Sequence, residues 1–173
     1  MSPTSLFRWV ATALTTMTLL SLLSLNNVRP IAAPELRAQT SRESGNPWVA
    51  AQTVEPAVFA KELASATPQN RPLVVNVGFP ALYRGGHIPG ASFHGPASSP
   101  EGLADLERWA QGISRATRVV VYCGCCPMPD CPNIRPAFTT LRDLGFTHLR
   151  VLVLPTNFAT DWVDKGYPVD RQK

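Results

Sequence analysis

Apolar positions follow two spacings along this chain, and each change of spacing marks a new element. Leu73 to Val77 is a continuous apolar run broken only by Asn76, and Val119 to Tyr122 is another. Short unbroken runs of this kind predict strands buried on both faces, as in a parallel sheet. His148–Leu154 predicts a further strand and Ser92–His94 a shorter one. Between them the period lengthens to that of a helix. Leu103, Leu106, Trp109 and Ile113 fall on one helical face, with Ser98 or Ser99 as the cap and Pro100 and Glu101 in the first turn. Ile134, Ala137, Phe138, Leu141 and Leu144 form a second stripe, which Gly145 closes. Pro56 opens a short helix in which Phe59 and Leu63 stand one turn apart. Pro80–Tyr83 predicts a single helical turn and Phe158–Lys165 a last helix. Alternating strand and helix predict an α/β fold: one domain over residues 53–173, its central, mostly parallel sheet flanked by helices on both faces.

The stretch before this domain follows neither spacing. Arg8 precedes an uncharged run, Trp9–Val28, rich in Leu, Thr, Ala and Ser. This predicts that residues 1–33 are a secretory signal or an N-terminal membrane anchor, and that the domain is exported to the periplasm or another extracytoplasmic space. Cleavage and retention both stay open. Residues 34–52 are polar, hold Pro, Ser and Gly, and read as a linker.

Charge narrows the partners. The net charge is +4, and Arg8 and Arg29 carry two of those charges. The domain is therefore nearly neutral and has no basic stripe, which excludes a nucleic-acid footprint.

The four cysteines, Cys123, Cys125, Cys126 and Cys131, all lie in the loop between the Val119 strand and the Ile134 helix. A thiol there sits at the carboxyl end of a strand and faces the amino end of a helix, where backbone N–H groups and the dipole favour an anion. That placement predicts that Cys123 is a nucleophile held as a thiolate. In an exported chain the other three predict a disulfide from Cys131 to Cys125 or Cys126 that braces the loop. A resolving role for one of them toward Cys123 is a second reading. A thiolate set for zinc, copper(I) or an iron–sulfur cluster is a third, although the spacing matches no paired C-x-x-C motif. Arg135, in the first turn of the helix facing the loop, is the candidate for binding an anionic substrate. No other motif demands a cofactor.

Four stretches in order resemble the rhodanese-like (sulfurtransferase) superfamily. They are Leu73–Val77 followed by Gly86–His87–Ile88–Pro89–Gly90–Ala91; Val120–Val121–Tyr122–Cys123; the helix ending at Gly145–Phe146; and Trp162 with Gly166–Tyr167–Pro168–Val169. The resemblance implies a rhodanese-like domain in which Cys123 carries a persulfide. Its donor would be a small sulfur-containing anion such as thiosulfate, and its acceptor a thiol, including one on a protein. Two departures are plain. Asn76–Val77–Gly78 stands where the family has Asp-Val-Arg, and the loop after Cys123 is longer and holds Pro127, Pro129 and Pro132. The alternatives to sulfur transfer are an exported thiol–disulfide or metal-handling protein, or a non-catalytic binding module of the same fold.

Overall fold

The computed structural model describes residues 45–172. The expected signal or anchor over residues 1–33 lies outside them. Among the described residues no helix is long and apolar enough to cross a membrane.

Five strands form one sheet: β1 (Thr53–Val54), β2 (Leu73–Asn76), β3 (Ser92–Phe93), β4 (Val119–Tyr122) and β5 (Leu149–Leu152). Their order is β1-β5-β4-β2-β3, and every pairing is parallel. The helices are α1 (Pro56–Ser65), α2 (Pro80–Gly85), α3 (Pro100–Gln111) and α4 (Ile134–Asp143). This is the predicted α/β architecture, with the helices packed on both faces of a parallel sheet.

The central strand β4 shows why. All four of its residues are buried. Val119 and Val121 join one core with Leu106 and Ala110 of α3 and Ala137, Phe138 and Leu141 of α4. Val120 and Tyr122 turn to the other, with Phe59 of α1, Tyr83 of α2 and Trp162. A period of two with apolar residues on both sides is what a strand between two helical layers requires.

Most ends fall within a residue or two of the pattern. Ser99 is the cap of α3: its Oγ accepts the Gly102 N–H at 3.1 Å, ahead of Pro100 at the first helical position. Gly145 follows α4 with φ +92°, a conformation that suits glycine. Two expectations change. The predicted last helix is a five-residue π turn, Ala159–Val163, held by Asp161, which accepts the N–H groups of Thr156 and Asn157. The linker boundary also moves. Trp48, assigned to the linker, is 4% exposed and packs edge-on against Phe138 at 5.3 Å. A lone tryptophan in a polar segment has no periodicity to show that it returns to the core.

Candidate functional site

Cys123 directly follows β4, so the sheet fixes its backbone. The residue before it is anchored twice: Tyr122 O accepts the Val77 N–H at 2.9 Å, and its hydroxyl accepts the Ile88 N–H at 3.1 Å. Asn76, at the end of neighbouring β2, donates its amide N–H to Cys123 O at 3.4 Å and accepts the Gly78 N–H at 2.9 Å. The Asn76–Val77–Gly78 departure thus becomes a buttress for the cysteine. Gly78 itself must stay small, because a Cβ there would lie 3.2 Å from Cys123 Sγ and 3.0 Å from its carbonyl oxygen. Gly124 turns the chain sharply at φ +77°, and a Cβ on it would fall 2.6 Å from the Phe158 Cβ. Only glycine fits a positive φ and so close an approach together.

That turn gathers sulfur. Cys125 Sγ lies 3.2 Å from Cys123 Sγ, 2.9 Å from Cys126 Sγ and 4.0 Å from Cys131 Sγ. The sulfurs of Cys123, Cys125 and Cys131 all lie within 4.8 Å of one another. All four cysteines are free thiols in this structure. The bond expected between Cys131 and Cys125 or Cys126 is therefore not formed, since S–S bonding requires about 2.05 Å.

Sequence reasoning missed Asn133. It stands at the cap of α4, where an asparagine ordinarily turns back to its own helix, but its side chain makes no capping bond. It is fully buried and reaches across instead. Its Oδ1 accepts the Ser98 N–H at 2.8 Å, and its Nδ2 donates to Cys123 Sγ at 3.4 Å and points to Cys125 Sγ at 3.9 Å. The orientation of the amide follows from its partners: Ser98 offers a donor, so the oxygen faces it and the N–H faces the sulfur. The only signal in the sequence was an Asn before an apolar stripe, which a plain helix cap explains equally well.

The negative charge of the cluster sits elsewhere than expected. Cys131 is brought down to about 6 by the Cys123 thiol beside it and by the N–H groups of Asn133 and Ile134, against burial, which raises it. These amides belong to the start of α4, where free N–H groups and the helix dipole favour an anion. Cys123 is pushed far above the usual thiol range by its shared proton with Cys131 and by burial. Cys126 is pushed up to about 12, chiefly by burial and then by Cys125. The start of α4 thus favours the anion on Cys131, and Cys123, expected to be the thiolate, bears the proton beside it.

Above the cysteines opens a cleft of about 480 Å³, lined by Asn76, Leu82, Gly86, Cys123, Gly124, Cys125, Phe158, Val163 and Arg171 among others. Cys123 and Cys125 face this cleft, whereas Cys126 and Cys131 line a separate small space of about 10 Å³ that Cys123 also borders. Arg135 does not line the cleft. It turns back along its own helix toward Cys131 O, at 3.5 Å. The cationic side chain at the cleft is Arg171, which the sequence analysis did not single out. His87 holds the turn through a 2.9 Å contact of Nδ1 with Tyr83 O. His94, without an evident partner in the sequence, pairs with Asp105 at 2.8 Å and stacks on Trp109.

No protein-family model matches the chain, and no curated protein matches it. Solved structures do. The solution structure of the rhodanese-like domain of the Alr3790 protein from Anabaena sp. is 20% identical, with a TM-score of 0.53 over 69% of this chain and 79% of that one. A crystal structure of the Alr3790 protein is 21% identical, with a TM-score of 0.52 over 69% of this chain and 92% of that one. The chain therefore has the rhodanese-like fold, with a cysteine cluster at the carboxyl edge of its sheet.

Proposed function

We propose that this domain transfers a sulfane sulfur through a persulfide on Cys123. The observation that carries the proposal is the position of that sulfur. It ends the central strand, faces the cleft, receives the Asn133 N–H and lies within reach of an anionic neighbour, Cys131.

The chemistry balances with these groups. A donor anion such as thiosulfate enters the cleft beside Arg171. Cys123 gives its proton to the Cys131 thiolate and attacks the outer sulfur of the donor. The sulfur–sulfur bond of the donor breaks, sulfite leaves with the bonding pair, and Cys123 becomes a persulfide anion. The Asn133 N–H, already directed at this sulfur, stabilises the negative charge that develops there. A thiol then takes the outer sulfur. The uncharged Trp9–Val28 run supports placing this reaction outside the cytoplasm.

The test is release of sulfite from thiosulfate by the reduced protein without oxygen. The wild type releases it in a burst that matches the protein concentration, and Cys123→Ser does not. A Cys123→Ser variant that releases sulfite at the wild-type rate, or a wild type that releases none, overturns the proposal.

A further inference from the structure

We infer that Cys125 resolves the Cys123 persulfide, so that the domain itself converts sulfane sulfur to hydrogen sulfide. This rests on the sulfurtransfer reading above and names its acceptor and product.

One thiol stands in contact with Cys123 and also faces the cleft. Cys125 Sγ is 3.2 Å from Cys123 Sγ, while Cys131 Sγ lies within the same 4.8 Å cluster. Gly124 alone separates the two residues, and its positive φ of +77° turns both sulfurs toward one another. Cys125 also faces the cleft, from which sulfide can leave and a reductant can enter, whereas Cys126 and Cys131 do not line it. Beyond that, the Cys123 thiol and the N–H groups of Asn133 and Ile134 favour Cys131 as an anion at the start of α4, and burial pushes the Cys126 thiol up. Thiol–disulfide exchange requires a thiolate that reaches a sulfur carrying a good leaving group, and a persulfide supplies one.

The step balances. The Cys125 sulfur attacks the inner sulfur of the Cys123 persulfide. A bond forms between Cys123 Sγ and Cys125 Sγ, and the bond to the outer sulfur breaks. The outer sulfur leaves with the bonding pair as hydrosulfide and takes the Cys125 proton. In this step the outer sulfur is reduced and the Cys125 sulfur is oxidised, while the Cys123 sulfur, oxidised when the persulfide formed, keeps its level. An external thiol reductant entering through the cleft restores both thiols by exchange. The cycle therefore consumes thiol and sulfane sulfur and yields sulfide.

The experiment follows the reduced chain through a single turnover with thiosulfate, in the absence of oxygen and of added thiol. Sulfite, sulfide and intact mass are read together, and peptide mapping locates any disulfide. The wild type is expected to release sulfite and then sulfide, and to end as a Cys123–Cys125 disulfide. Cys125→Ser is expected to release sulfite but hold the persulfide, with a lifetime longer by roughly a hundredfold or more, since the neighbouring thiol acts intramolecularly. Cys125→Ala repeats the test without a hydroxyl. A wild type that releases sulfite but keeps its persulfide, or that joins Cys123 to Cys126 or Cys131, overturns the inference and leaves sulfur transfer standing. Absence of sulfite release overturns both.

Discussion

Replacing Asn133 by alanine separates what this residue does for the fold from what it does for the sulfur. The substitution removes two bonds from a fully buried side chain: Oδ1 to the Ser98 N–H at 2.8 Å and Nδ2 to Cys123 Sγ at 3.4 Å. Ser98 is exposed, so water can take over its N–H, and the net cost of the two neutral bonds is about 2 kcal/mol. The kinetic effect is larger in proportion. A hydrogen bond to a charged group contributes about 1.5–3 kcal/mol, and the sulfur becomes charged only during transfer. At 1.36 kcal/mol per decade, sulfite release should slow by about ten- to a hundredfold. Urea unfolding and burst kinetics on the same preparation give the two numbers. Phe138→Ala is the control, because it lies on the same helix and in the core but offers the sulfurs no hydrogen bond. It should cost more stability, about 3–5 kcal/mol for a wholly buried phenylalanine, yet slow release less than Asn133→Ala. If folded Asn133→Ala releases sulfite within about twofold of the wild-type rate, a difference worth only about 0.4 kcal/mol, the amide does not act on the reacting sulfur.

Other expectations concern the anion and the walls of the cleft. Because Cys131 is depressed to about 6, its thiolate persists above that pH and takes a proton below it; sulfite release should therefore fall as pH drops through about 6, and Cys131→Ser should remove that limb from the pH profile. Arg171→Ala should raise the thiosulfate concentration needed for half-maximal burst rate by roughly tenfold, for loss of one cationic contact, whereas Arg135→Ala should leave it nearly unchanged. Gly124→Ala should cost at least about 1–2 kcal/mol for its positive φ alone, and more for the contact with Phe158, read as a shift in the urea midpoint.

How much the sequence disclosed depended on whether the information was local. Val119–Tyr122 and the Ile134, Ala137, Phe138, Leu141 stripe were legible because burial on a strand or a helix face imposes a period. The order of those two elements around the cysteines pointed to a thiolate on Cys123, opposite the helix start. Which sulfur carries it was not legible, because that depends on which thiol the loop brings to the N–H groups of Asn133 and Ile134. Asn133 was hidden for a related reason: its partners, Ser98 and Cys123, belong to other elements. Arg135 was expected at an anionic substrate because it lies in the first turn of α4, but the direction its long side chain takes, back toward Cys131 O, is not given by spacing. Trp48 and Arg171 lie in segments without periodicity, and only the folded chain brings them to the core and to the cleft.

The division of β4 between two cores bears on how such a site can change. Val119 and Val121 are locked into one layer and Val120 and Tyr122 into the other, so the post on which Cys123 stands cannot shift without disturbing both. The start of α4 is equally fixed by Phe138 and Leu141. The stretch between these two posts is different, because residues 124–130 contribute only partly buried side chains to the core. Lengthening a connection between fixed ends costs only about 0.6 kcal/mol per doubling of its length. The loop thus behaves as a replaceable insert on a rigid frame, in which thiols can be added, spaced or removed at little cost to the domain that holds them.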